Sequence, residues 1–114
     1  MSLKTVKSLT KCAIETNCVL VSWELTNPKE SFSKLVSIAE CIPRTYVLEK
    51  SEIYWHGVCK SLIFRFPDDL EILNQSPDYS SKGIIQVRSS SRFGVSDLGV
   101  NKRRIKYLYK LLTK

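Results

Sequence analysis

Ile84-Ile85-Gln86-Val87-Arg88-Ser89-Ser90-Ser91-Arg92-Phe93-Gly94-Val95-Ser96-Asp97-Leu98-Gly99-Val100-Asn101 is the stretch on which the reading of this chain turns. Its first part is β-branched at Ile84, Ile85 and Val87, the composition of a buried strand. Gly94 and Gly99 supply bends, and Asn101 stands where a side-chain oxygen reaches the first free amides of a helix. Strand, polar turn and helix mouth are therefore predicted in that order. Arg88, Arg92 and Asp97 crowd the junction. An unpaired buried guanidinium costs several kcal/mol, about what holds a small domain together, so these charges require partners within the chain or an anion from outside.

Toward the C-terminus, a helix is predicted from about Lys102 to Leu112. Ile105, Leu108, Leu111 and Leu112 share one side, and Arg103, Lys106, Lys110 and Lys114 another. Arg104 lies at the angle of Leu108 and Leu111, so it points inward or along the boundary, where Asp69 or Asp97 would meet it. The chain carries 18 Lys and Arg against 11 acids, a net charge of +7. Eight of the cations (Arg88, Arg92, Lys102, Arg103, Arg104, Lys106, Lys110, Lys114) follow position 87, against Asp97 alone. The earlier part balances ten against ten, so the basic excess has a direction.

Toward the N-terminus, Asn74 to Gly83 reads as a turn-rich loop containing Pro77. Leu62 to Phe66 reads as a strand that continues past Pro67 to Leu73, with Leu62, Phe64, Phe66, Leu70 and Ile72 in alternate register and a bulge or sheet edge at the proline. Thr45–Glu49 and Ile53–Cys59 are β-rich runs whose short connection suits a hairpin. Asn27, Pro28 and Glu30 form a helix start, followed by Phe32, Leu35, Val36 and Ala39 on one face and stopped by Pro43. Cys18 to Leu25 is extended and apolar, lying across the core, with Trp23 as a packing anchor. Residues 1–17 form a basic arm with Lys4, Lys7 and Lys11. The expected fold is α+β in a single domain over 1–114: a four-stranded antiparallel sheet with two helices packed on one face.

At 114 residues and 43% hydrophobic content the chain can bury one core, and it has neither repeats nor low-complexity tracts. Its apolar runs are too short for a transmembrane span or a secretory signal, which predicts a cytoplasmic protein, with attachment at a membrane surface left open. The four cysteines contain no C-x-x-C pair and match zinc spacing poorly. Cys41 and Cys59 read as small core residues. Cys12 and Cys18, with five residues between them and Asn17 to turn the chain, can be a disulfide or a free dithiol according to compartment. The serines lack a nucleophile elbow, the lone His56 sits inside a strand, Asp68 and Asp69 read as turn or arginine partners, and no glycine-rich nucleotide loop is present. No metal site, cofactor or catalytic residue is assigned.

The residues resemble the domain of unknown function 1499 family, whose members occur in bacteria and photosynthetic organisms. The likeness runs from Cys12–Val19 through Phe64–Asp69 to Arg88–Arg104. Cys12, Asn17, Cys18, Asp69, Arg88, Ser89, Ser91, Arg92, Gly94, Ser96, Asp97, Leu98, Gly99, Asn101 and Arg104 fit its pattern. The chain departs from it at Glu15 and Thr16, where relatives carry Ser-Pro. The resemblance implies a set of important residues without a reaction, and a tie to the photosynthetic membrane. Taken with the charge pattern, Asp69, Arg88, Ser89, Ser91, Arg92, Ser96, Asp97, Asn101 and Arg104 are read as an internal network, an anion pocket, or both. Lys102, Arg103, Lys106, Lys110 and Lys114 form a basic face for anionic lipid headgroups or an acidic protein surface, with nucleic acid a weaker fit because Trp23, Tyr54, Trp55, Phe64 and Phe66 look committed to packing, Tyr107 and Tyr109 remaining as exposed contacts. A non-enzymatic binding or assembly module is the expected function, and an enzyme holding a small anionic substrate on Arg88 and Arg92 is the alternative.

Overall fold

The computed structural model describes residues 8–62, 65–76, 81–94 and 96–114. The expectations for Lys4, Lys7, Phe64 and Pro77 lie outside the described residues. In chain order the elements are β1 (Cys18–Thr26), α1 (Pro28–Glu40), β2 (Thr45–Lys50), β3 (Tyr54–Lys60), β4 (Pro67–Asn74), β5 (Lys82–Ser91) and α2 (Val100–Leu112). The strands form one antiparallel sheet in the order β1-β5-β4-β3-β2.

The class is α+β with two helices, as expected, but the sheet has five strands and not four. The segment from Cys18 does not cross the core. It pairs along the whole of β5, from Cys18 opposite Ser90 to Thr26 opposite Lys82. Its side chains alternate as an edge strand demands: Val19, Val21, Trp23 and Leu25 pack on the core, while Ser22, Glu24 and Thr26 are exposed. Of the run from Leu62 to Phe66, expected to be strand, the described residues are not. Arg65 has a left-handed φ of 58°, Leu62 and Phe66 are exposed, and Phe66 and Ser61 bond to each other as the closure of a loop. The strand starts at Pro67, where a residue without an amide hydrogen costs the ladder nothing.

Both helices press one apolar stripe into the same cluster. Phe32, Leu35, Val36 and Ala39 of α1 and Ile105, Leu108 and Leu112 of α2 meet Trp55, Cys59, Leu70, Ile72, Ile85 and Val87 of the sheet. Each large aliphatic side chain buried this way is worth about 1.5–3 kcal/mol. Room for the fully buried Trp55 comes from Gly57, where a Cβ would stand 2.5 Å from the indole. The indole N–H donates to Glu40 at 3.0 Å, fastening the end of α1 to β3. Cys59 is buried, but Cys41, expected in the core, is exposed just past the helix end.

Helix starts differ from expectation in detail. Asn27 has a left-handed backbone (φ 48°) and its side chain caps nothing; Pro28 pre-sets the first turn of α1. Of the stretch read as an arm, Leu9 is buried on the other face of the sheet against Tyr54 and Leu73, its amide donating to Gln86 at 2.7 Å. Cys12 and Cys18 are joined by a disulfide with Cα atoms 5.6 Å apart. Among the described residues no helix is long and apolar enough to cross a membrane.

Candidate functional site

β5 alternates faces, and the charged turn is divided accordingly. Ser89 and Ser91 bond to residues of the helix side, while Arg88 and Arg92 bond to partners on the sheet's other face. The residues expected to form one site therefore form two networks.

On the helix side, Asn101 is the hub. It is fully buried inside the first turn of α2, not a cap before it. Its Oδ1 accepts from the Ser89 hydroxyl at 2.6 Å and from Arg104 at 2.8 Å. Its Nδ2 lies within 3.1 Å of the Asn17 carbonyl, the Ser91 hydroxyl and the Asp97 carboxylate. Capping falls to Asp97, which accepts from the amides of Gly99 at 2.7 Å and Asn101 at 3.1 Å. Burial works to raise the Asp97 carboxyl, yet the bonds from Asn101 and Gly99 outweigh it and hold it below the usual carboxylate range. Arg104 does turn inward, but its carboxylate is Asp68 at 3.0 Å and neither Asp69 nor Asp97. The disulfide-closed loop completes this network. Asn17 donates to the Gly94 carbonyl at 2.7 Å and accepts from the Ser91 amide at 2.9 Å, and the Thr16 carbonyl accepts from the Asp97 amide at 3.1 Å. Ser96 stands apart, exposed, its hydroxyl 3.4 Å from the Leu98 amide.

On the other face, Arg92 grips Asp69 with two bonds of 2.9 Å, and His56 Nε2 lies 2.7 Å from the same carboxylate. Burial pushes the Asp69 carboxyl up, but Arg92 and His56 hold it below its ordinary value, and Arg92 is raised in turn by its bonds to Asp69. One step along β4, Glu71 accepts from the Tyr54 hydroxyl at 2.5 Å and faces Arg88 at 3.5 Å. Burial first and Glu71 second drive the Tyr54 phenol far upward. Arg88 Nε is buried and has no partner among the described residues.

The sequence model of a family described as a protein of unknown function (DUF1499) matches residues 4–112. The chain belongs to the DUF1499 family. No curated protein matches it.

In this DUF1499 chain the third feature is the outer face of α2. Lys102, Arg103, Lys106, Lys110 and Lys114 are all exposed, and the helix contains no acid. Tyr107 is half exposed, as is Tyr109, whose ring meets Trp23 at a tilt of 58° with centroids 4.8 Å apart. Of the aromatics read as packed, Tyr54 and Trp55 are buried and Phe66 is not. Among the described residues no three His, Cys, Asp or Glu side chains are grouped to hold a metal ion. Asn17, Tyr54, His56 and Glu71 were missed as network members, and Asp68 was read only as a turn or arginine partner. The period of two would have found them: Asp68 with Ser89 and Asp69 with Arg88 and Arg92 sort by parity once β4 and β5 are set side by side.

Proposed function

We propose that this chain is a non-enzymatic binding and assembly module that docks through the basic face of α2 onto an anionic surface. The observation that carries this reading is a contrast in how charge is used. Asp68 and Arg104, Asp69 and Arg92, and Asp97 with the α2 amides are engaged with one another, whereas four cations stand exposed on one acid-free helix, with Lys114 just past its end. Cations held near an anionic surface contribute about 1 kcal/mol each and are screened by salt. The Cys12–Cys18 bond supports a working place where thiols stay oxidised, in contrast to the cytoplasmic expectation.

The test is affinity purification of the tagged chain from its host beside a form carrying Arg103→Glu, Lys106→Glu and Lys110→Glu, with co-purifying protein, lipid and nucleic acid quantified. A component enriched with the native form and lost from the reversed one, at unchanged melting temperature, is expected. Equal recovery from both forms would rule the docking surface out.

One atom favours a second reading, an enzyme or receptor for a small anion: the buried, unpartnered Nε of Arg88. Calorimetric titration with inorganic phosphate reports on it directly. Binding that disappears in Arg88→Lys supports that reading, and no heat from the native chain removes it.

A further inference from the structure

We infer that the turn at the head of α2 is a lipid-inserting tip, which seats the basic helix on the surface of an anionic bilayer; this rests on the docking role proposed for α2. Residues Asp97 to Val100 form a tight turn in which the Val100 amide donates to the Asp97 carbonyl at 3.1 Å, with Leu98 (φ 54°) and Gly99 (φ 82°) both left-handed. That geometry asks for Asn, Asp or Gly at both central positions, because a Cβ crowds the backbone there. Leucine fits it badly. It is also 85% exposed, more than any other large apolar side chain among the described residues. The fold gains nothing from this choice, since an asparagine would relieve the backbone and expose less apolar surface. Strain and exposure at one residue point to a contact made outside the chain.

The neighbours give that contact its chemistry. Phe93, 69% exposed, lies on the same loop. Leu62 and Phe66 are exposed on the β3–β4 connection, which the Arg92 amide holds alongside through the Pro67 carbonyl at 3.2 Å. Cations stand at the shoulders of these apolar tips. Lys102 and Arg103 are exposed on the first turn of α2, and Arg103 donates to the Leu98 carbonyl at 3.1 Å, keeping a guanidinium beside the tip. Arg65, next to Phe66 in the chain, is exposed on the β3–β4 connection. The acid of the turn, Asp97, is engaged by amides. Exposed apolar side chains on two adjoining loops, with exposed cations on one of those loops and on the first turn of α2, suit the layers of a bilayer face: hydrocarbon for the one, phosphate for the other. A protein partner would instead need a pocket shaped to Leu98, and the test separates the two.

The experiment is co-sedimentation of the full chain with vesicles of phosphatidylcholine alone and of phosphatidylcholine mixed with phosphatidylglycerol. Three forms are compared: native, the tip variant Leu98→Asn with Phe93→Ser, and the α2 variant Lys106→Glu with Lys110→Glu. Native protein is expected on the anionic vesicles only. The tip variant should bind them about a hundredfold more weakly, since each of its two apolar side chains withdrawn from hydrocarbon removes a transfer free energy worth about tenfold. Its melting temperature should hold or rise, because asparagine suits the left-handed turn. A Leu98→Trp form should shift its tip fluorescence to the blue on the same vesicles. If the tip variant binds as tightly as native while the α2 variant does not, the tip is refuted and the docking helix stands. If neither variant loses binding, or native protein ignores anionic vesicles, both readings fall for lipid. Tip fluorescence unmoved on bound vesicles overturns insertion and leaves a protein pocket as the contact for Leu98.

Discussion

Arg104 and Asp68 meet at 3.0 Å with their side chains 11% and 6% exposed, so neither can be deleted without stranding the other. Arg104→Ala should therefore cost about 3–5 kcal/mol, read as a lowered urea midpoint. Arg104→Met combined with Asp68→Leu should recover most of that loss, because the charge is then removed in pairs. A single mutant within about 0.5 kcal/mol of native would show that the pair is solvated and the network loose. Which carboxylate Arg104 meets was not legible from helix angle alone. Asp68 and Asp69 are adjacent in the chain and lie on opposite faces of β4, and a one-residue shift in strand register exchanges them. The same parity explains why Arg88 and Arg92 read as neighbours of Ser89 and Ser91. In sequence they are contiguous, and in the sheet the strand stands between them.

At the scale of elements, the loop closed by Cys12 and Cys18 acts as a brace for the β5–α2 turn through Thr16 and Asn17. Cross-linking so short a loop restrains the unfolded chain by about 2 kcal/mol in the entropic account. Reduction, or Cys12→Ser with Cys18→Ser, should lower the urea midpoint by that order and speed amide exchange at Asp97 and Asn101, while β2 to β4 keep their protection. Uniform loss of protection along the sheet would show the brace to be part of the global unit. β3 carries a second prediction. Gly57→Ala would press a methyl against a fully buried indole, an overpacking worth about 1–3 kcal/mol. Trp55→Phe in the same background should return part of it. Helices and the β2–β3 hairpin were legible because their apolar periods and Ser51 turn are local: Ser51 Oγ accepts from Ile53 and Tyr54 as a short connection requires. The edge role of β1 was not, since its ladder partners lie 56 to 72 residues on. Phe66 misled for another reason: its alternation with Leu70 and Ile72 is real in the chain, but it stands before β4 begins at Pro67, bonded to Ser61.

For the whole molecule, the lowered carboxylates set its response to acid. Asp69, Asp97 and Glu40 all titrate below their ordinary values in the fold, Glu40 chiefly through Lys50. Groups depressed by folding stabilise it fully above the unfolded value, about 4, and that contribution is lost as pH falls through the folded ones. The urea midpoint should therefore hold between about pH 7 and 5 and fall below about pH 4, and Asp97→Asn should flatten part of the fall. A midpoint constant down to about pH 2 would contradict the assignment. The order of the sheet bears on something else, the birth of the chain on a ribosome. β2, β3, β4 and β5 each pair with the strand made just before or after, but β1 pairs with β5 alone, and α1 packs beside α2. Val19, Val21, Trp23, Phe32 and Leu35 are made before β5 and must wait, uncovered, until Lys82–Ser91 has been translated. A nascent chain of this design is a natural client for holding chaperones, and its free folding is paced by the closing of one long loop.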